Sequence, residues 1–193
     1  MKLVLATQNP NKVKEIQAVL PANWEVVTAH QLGVTEELPE TGDTLEANAI
    51  QKASALFELM GSLCMADDSG LEVEALGGAP GVYSARFAGD SKDDAANRAK
   101  LLRDLKGESN RRAQFRTVIA MVGPDGVQTF EGRAQGRIIH EERGTQGFGY
   151  DAIFESDDIP GQTFAEVDPA AKRAVSHRSR AIASMLEGLS LGD

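Results

Sequence analysis

Ala66-Asp67-Asp68-Ser69-Gly70-Leu71 sets two adjacent carboxylates, a hydroxyl and a glycine directly behind the apolar run Leu63-Cys64-Met65-Ala66. Such a run reads as the end of a buried strand, so the acidic pair is expected where the chain leaves the core and turns. In open α/β sheets the carboxyl ends of strands form the ligand crevice. Hard divalent cations such as Mg²⁺ take oxygen ligands there and keep room for water and phosphate. Metal-assisted chemistry on a phosphate compound is one thing these residues offer. A plain Asp-Ser-Gly turn that only reverses the chain is the other.

Lys12 follows Thr7-Gln8-Asn9-Pro10-Asn11. Asn9 suits an N-cap and Pro10 a first helical position, so free backbone N–H groups would point out of a helix start and join the Lys12 ammonium on one anion. The Walker glycines and their Lys-Ser/Thr pair are absent, so this cradle is alike in physics and not in sequence. A solvated lysine on a surface turn fits the same residues. Glu40 precedes Thr41-Gly42-Asp43-Thr44, where any helix start favours an acid. Lys52 is expected on a polar helix face with Thr44 and Asn48, where solvated charge is the default.

Gly144-Thr145-Gln146-Gly147-Phe148-Gly149-Tyr150-Asp151 places two aromatics among three glycines, ahead of the strand-like Ala152-Ile153-Phe154. Close approach of a planar ligand to the backbone needs glycines between aromatics, whereas core packing does not. A base-stacking platform and an ordinary aromatic turn both fit. Ser176-His177-Arg178 adds adjacent donors at a helix opening, suited to a carbonyl or phosphate oxygen. A structural histidine is the common alternative.

These residues need elements to hold them. Lys2 to Thr7 reads as a buried strand, Asn11 to Leu20 as a helix with Val13, Ile16 and Leu20 on one face, and Trp24 to Thr28 as a second strand. The pattern predicts a long helix from Thr44 to Met60, striped by Ala49, Ala53, Phe57 and Met60 and stopped by Gly61. Leu71 to Ala75 alternates like a half-exposed strand. Ser91 is the expected cap of the next helix, which Gly107 ends. Phe115 to Val122 and Val127 to Ile139 flank Gly123-Pro124-Asp125-Gly126 as a hairpin. Asp168-Pro169 opens a helical tail with a second cap at Ser176. Helices and strands interleave early and a hairpin comes late, so an α/β fold with a mixed sheet is expected.

At 193 residues and 41% apolar, the chain suits one substantial core, and a single domain over residues 1–193 is expected. A net charge of −9 argues against a nucleic-acid polymer or an anionic membrane as partner, while a small anion met by local cations is compatible with it. Cys64 is the lone cysteine, which rules out an internal disulfide or a cysteine zinc cluster. The opening apolar run Leu3 to Ala6 is too short for a signal peptide or membrane span, so a cytoplasmic location is expected.

In order, the blocks Thr7 to Lys12, Glu40-Thr41-Gly42, Glu46 to Ala49 with Lys52, Ala66 to Leu71, Gly77 to Arg86, Gly147 to Asp151, and Lys172 with Ser176-His177-Arg178 closely resemble the inosine/xanthosine triphosphate pyrophosphatase family, also called Ham1. The resemblance spans nearly the whole chain. It implies hydrolysis of non-canonical purine nucleoside triphosphates (ITP, dITP, XTP) to the monophosphate and pyrophosphate, with Mg²⁺ as cofactor and a homodimer as the assembly. It also implies an elongated α/β domain with a mixed central sheet and a nucleotide cleft between two lobes. Carried over by motif, Asp68 would be the general base and a metal contact, with Glu40 and Asp67 helping to hold Mg²⁺. Lys12 and Lys52 would neutralise the triphosphate. Thr7, Gln8, Asn9, Pro10, Asn11 and Ser69 would contact it. Phe148 would stack on the purine beside Gly149 and Tyr150, and Asp151, Lys172, His177 and Arg178 would line the base pocket. Asn11 stands where the family often has glycine, and Ala152 where it often has proline. Two other readings share the motifs: a nucleotide sensor without turnover, and a Maf-like pyrophosphatase for other nucleotides. Carboxylates beside phosphates repel them unless a metal intervenes, which argues against the sensor.

Overall fold

The computed structural model describes residues 2–7 and 9–190, so the expectation for Gln8 lies outside the described residues. The chain forms an α/β fold whose sheet has the strand order β2-β1-β3-β4-β5-β6, with β1 Lys2–Leu5, β2 Glu25–Thr28, β3 Cys64–Val73, β4 Arg112–Gly123, β5 Gly126–Ile138 and β6 Phe154–Ser156. β1 pairs in parallel with β2 and with β3, whereas β5 and β6 are antiparallel, so the sheet is mixed as expected. The helices are α1 Pro10–Gln17, α2 Leu45–Met60, α3 Asp94–Asp104, α4 Pro169–Val175 and α5 His177–Ser190. No helix among the described residues is long and apolar enough to cross a membrane.

Two compact units divide the chain. The first comprises residues 1–68, 117–132 and 178–193, and the second 69–116 and 133–177. The first packs Leu3 and Leu5 of β1, Ile16 of α1, Met65 of β3, Ile119 and Met121 of β4, and Ala181, Ile182 and Met185 of α5 into one core. In the second, Leu71, Leu101, Leu105, Phe115, Ile153, Phe154 and Phe164 form another, with the Phe115 and Phe154 rings edge-on at 4.7 Å. Burial of apolar area on this scale is the main stabilising term in each unit.

Local signals set most boundaries. The Asn9 side chain accepts from the N–H groups of Asn11 and Lys12, and Pro10 opens α1. Thr44 caps α2 by accepting from Ala47 N–H at 3.0 Å, and Gly61, at φ +62°, ends it in the left-handed conformation that a side chain disfavours. Four expectations are corrected. The acidic pair lies within an unbroken strand and not in a turn, because β3 runs from Cys64 through Val73. Within it Gly70 has no room for a side chain, because a Cβ would stand 2.4 Å from the Gly81 carbonyl oxygen. Asp93, not Ser91, caps α3, its Oδ1 accepting from Ala96 N–H at 3.0 Å. Asp151–Ile153 forms a 3₁₀ turn, so the last strand begins only at Phe154. On α2 the buried stripe takes in Leu56 together with Asn48 and Lys52, so the face read as solvated is an inward one.

Candidate active site

In the first unit, β3 presents Asp67 and Asp68 to opposite faces of the sheet, as the two-residue period of a strand requires. Asp67, with a fully buried side chain, meets Lys12 Nζ at 3.0 Å and Arg178 Nε at 3.3 Å. Burial alone would raise its pKa, but the Lys12, Arg178 and Lys52 cations outweigh that and hold the carboxyl well below the usual carboxylate range. Arg178 is itself buried and forms a second ion pair with Glu15 of α1. Burial pushes the Lys12 ammonium down, the neighbouring Lys52 and Arg178 add to that, and Asp67 and Asp68 oppose it.

On the other side, α2 organises the cluster from three positions. Asn48 Oδ1 accepts from Gly42 N–H at 2.7 Å while its Nδ2 donates to Asp68 Oδ2 at 3.1 Å. Gln51 Oε1 accepts from the Thr41 N–H and its Nε2 donates to the Thr41 hydroxyl oxygen, at 2.9 Å each. Lys52 Nζ pairs with Glu40, donates to the Asp67 carbonyl at 2.8 Å and lies 3.9 Å from Asp68 Oδ1. Gly42 is required where it is, since a Cβ would stand 2.7 Å from that of Ala47. Desolvation raises the Asp68 pKa and nearby Glu40 adds to it, while Lys52, Lys12 and the Asn48 amide pull the other way. A carboxyl tuned upward beside two ammoniums is the kind of group that takes a proton from water in general-base chemistry.

For a divalent cation, Glu40 and Asp68 fit. Both are carboxylates with part of their surface open, 34% and 13% exposed, where a hard ion could keep water. Asp67 does not fit that role, because two cations already occupy its fully buried carboxylate. Among the described residues no group of three or more His, Cys, Asp or Glu side chains is arranged as a metal site, so two carboxylates are the donor set on offer. Thr7 and Asn9 lie in the loop between β1 and α1, where Asn9 N–H donates to Thr7 Oγ1 at 3.2 Å. Pro10 and Asn11 open α1. Ser69, half-buried on β3, belongs to the second unit.

The second unit holds the aromatic loop. Asp151 Oδ2 accepts from Lys172 Nζ at 2.7 Å and from Phe148 N–H at 2.9 Å, and Lys172 Nζ lies 4.9 Å from the Phe148 ring centre. A Cβ on Gly147, at φ +74°, would stand 2.0 Å from Asp151 Oδ2, so only glycine allows the carboxylate to fold under the loop. The Tyr150 hydroxyl donates to the Ser84 carbonyl at 2.7 Å, and burial pushes its pKa up. His177 is buried with its ring stacked on Phe115 at 4.7 Å.

The structure thus brings Lys12, Glu40, Lys52, Asp67 and Asp68 together in one unit, and Phe148, Gly149, Tyr150, Asp151, Lys172 and His177 in the other. Arg178, expected with the base-recognition group, meets Asp67 and Glu15 within the first unit. Asn48 and Glu15 were not foreseen as site residues. Asn48 is one helical turn before Lys52, and Glu15 three residues after Lys12, so helical spacing was the signal that could have found them.

Fold and site define a class: α/β proteins that set lysine ammoniums against buried and partly buried carboxylates on an inner strand of a mixed sheet. Within that class the chain belongs to the Ham1 family, whose pattern it matches over residues 3–188. It is 50% identical to a dITP/XTP pyrophosphatase of Desulforamulus reducens, over 97% of this chain and 94% of that one. To the dITP/XTP pyrophosphatase of Bacillus subtilis it is 46% identical, over 93% and 92%. The solved Ham1 protein of Staphylococcus aureus superposes with a TM-score of 0.90 at 39% identity, covering both chains completely.

Proposed function

We propose that this protein hydrolyses non-canonical purine nucleoside triphosphates, of the deoxyinosine, inosine and xanthosine kind, to the nucleoside monophosphate and pyrophosphate. The observation that carries the reading is the cluster in which Asp68, its pKa raised by burial, stands beside Lys52 and Lys12. Near-full-length similarity to relatives named dITP/XTP pyrophosphatases supports the substrate class. Lys12 and Lys52 neutralise phosphate oxygens, and the N–H groups at the start of α1 extend that anion site, with Thr7 and Asn9 as further contacts. Asp68 orients the attacking water and takes its proton. Asn48 donates to one oxygen of that carboxylate, and Lys52 lies 3.9 Å from the other.

Mg²⁺ is part of the reading. Glu40 and Asp68 would hold it, and it would supply charge neutralisation for the phosphates. Asp67 supports the site by fixing Lys12 and Arg178. In the second unit, Phe148 is the stacking surface for the purine, with Lys172 and His177 as donors to its 6-oxo group. A cytoplasmic homodimer completes the proposal, in keeping with the family resemblance. A sensor without turnover is disfavoured because Asp68 would repel phosphate without taking part in any reaction.

The test is pyrophosphate release across ITP, dITP, XTP, GTP and ATP with Mg²⁺ present. Adenine carries an amino donor where inosine and xanthosine carry an acceptor, so donors in the base pocket leave ATP poorly paired. Pairing of this kind discriminates by up to ~10⁴-fold. The expected result is kcat/KM for ITP or XTP far above that for ATP. Equal efficiency on ATP and ITP would refute the substrate assignment.

A further inference from the structure

The aromatic loop is held by a helix that the proposed reaction leaves without a role. Asp94, in the first turn of α3, accepts the Gly149 N–H on Oδ2 at 2.7 Å. One turn later, Arg98 Nη1 donates to the Gly149 carbonyl at 2.9 Å, and its Nε faces Glu142 at 3.0 Å. Both polar groups of the residue next to Phe148 are thereby taken by side chains four apart on a single helix face. On the other side, the Phe148 N–H is fixed by Asp151. Three charge-assisted bonds thus act on two successive residues, and each exceeds a neutral hydrogen bond in strength.

A second anchor ties the same loop to the segment Gly81–Arg86, a 3₁₀ turn that motif reading singled out without a task. Ser84 accepts the Tyr150 hydroxyl on its carbonyl, and its Oγ accepts Leu71 N–H at 2.9 Å and donates to the Gly81 carbonyl at 2.6 Å. α3 grips this segment too, with Asn97 Oδ1 accepting from Ala88 N–H at 2.7 Å and Nδ2 donating to the Ala85 carbonyl at 3.0 Å. Gly149 lies at φ +61° with open space where a Cβ would be, so the loop conformation is set by these bonds and not by packing around that residue.

We propose that Asp94 and Arg98 are positioning residues that fix the Phe148 ring for the base by clamping both polar groups of Gly149. The inference rests on the reading of Phe148 as the purine platform. A ring whose backbone is already fixed does not have to be ordered when ligand binds, and pre-organisation of that kind is a direct contribution to affinity. The role is for the base alone, since pyrophosphate meets none of these residues in the proposed reading.

Asp94→Ala and Arg98→Met, with Phe148→Ala as reference, are compared with wild type for KM and kcat on ITP and for inhibition by inosine monophosphate and by inorganic pyrophosphate. Thermal melts report folding, and Asp94→Asn and Arg98→Lys serve as gentler variants that keep an acceptor or a donor. Base stacking contributes a factor of roughly 5 to 150 in affinity, so a loosened platform should raise KM and the inosine monophosphate Ki by about three- to tenfold. The pyrophosphate Ki should not move, kcat should change less than KM, and Asp94→Asn should restore most of the loss. Wild-type inosine monophosphate affinity in both clamp variants, with Phe148→Ala impaired, would overturn the clamp alone. Parallel weakening of both inhibitors would also overturn it, by marking a general loosening. An unimpaired Phe148→Ala would remove the platform reading and the clamp together.

Discussion

Asp67 and Asp68 share a peptide bond and the field of Lys12 and Lys52, yet their pKa values move in opposite directions. The strand pleat sends one into a buried nest of Lys12 and Arg178, where it stays ionised, and the other toward Asn48 and Lys52, where burial makes ionisation harder. Asp68→Asn is therefore expected to fold normally and to lower kcat by roughly 10²-fold or more, the scale of a lost general base. Steady-state kinetics at saturating Mg²⁺ check this, and near-wild-type turnover would end the assignment. Cys64, at the start of β3, is buried with its thiol donating to the Ser62 carbonyl at 3.2 Å, and desolvation pushes its pKa up to about 11. A raised pKa means the fold prefers the protonated thiol. The associated stability is fully present below the thiol's ordinary value near ~8.5 and is lost as pH rises through about 11. Denaturant melts from pH 8 to 11 should show wild type losing stability more steeply than Cys64→Ala, and identical pH slopes would contradict the shift. Ordered motif blocks single out Lys12, Lys52, Glu40 and Asp68 in the sequence, and the structure gathers these four in one unit. The partners of Arg178 were not legible there, since a guanidinium 111 positions from Asp67 meets it only through tertiary packing.

At the scale of elements, α2 is what makes a site out of scattered residues. Its inward face presents Asn48 and Lys52, and its flank Gln51, to the loop holding Glu40, while Asn48 also reaches the strand holding Asp68. Removing the Asn48 amide leaves the Gly42 N–H without its acceptor and frees one Asp68 oxygen, and such orphaning costs about 1–3 kcal/mol. Asn48→Ala should accordingly melt lower and also lose kcat, whereas Gln51→Ala, which touches Thr41 and not Asp68, should keep kcat much nearer wild type. Equal kcat in the two variants would contradict the special place of Asn48. Caps and stops made α2 legible to within a residue, because Thr44 and Gly61 act locally. The polarity of its face misled, since a buried lysine among carboxylates looks in sequence like any solvated one. The acidic pair misled in the same way. Asp-Ser-Gly has turn chemistry, yet here it runs on as extended strand, and the close passage of Gly81 accounts for the glycine at position 70.

Over the whole molecule, a net charge of −9 coexists with a pocket of buried cations, and the two facts belong to different length scales. Screening over about 8 Å at physiological salt confines the surface charge, while the ammoniums of Lys12 and Lys52 act at contact distance in a poorly screened interior. That a mixed sheet would form was legible from interleaved helices and a late hairpin. The order β2-β1-β3-β4-β5-β6 was not, because pairing between distant strands leaves no local mark. In the proposed reaction, water prepared by Asp68 attacks the α-phosphorus, the bond to the bridging oxygen breaks, and pyrophosphate leaves with its charge met by the lysines. The oxygen of that water must then stay on the monophosphate. Hydrolysis of ITP in H₂¹⁸O, followed by mass spectrometry of both products, should place one label in inosine monophosphate and none in pyrophosphate. Label in pyrophosphate alone would mean attack at the β-phosphorus, and orthophosphate as the first product would mean a terminal phosphatase. Either result would require Asp68 to serve a different phosphorus atom from the one proposed.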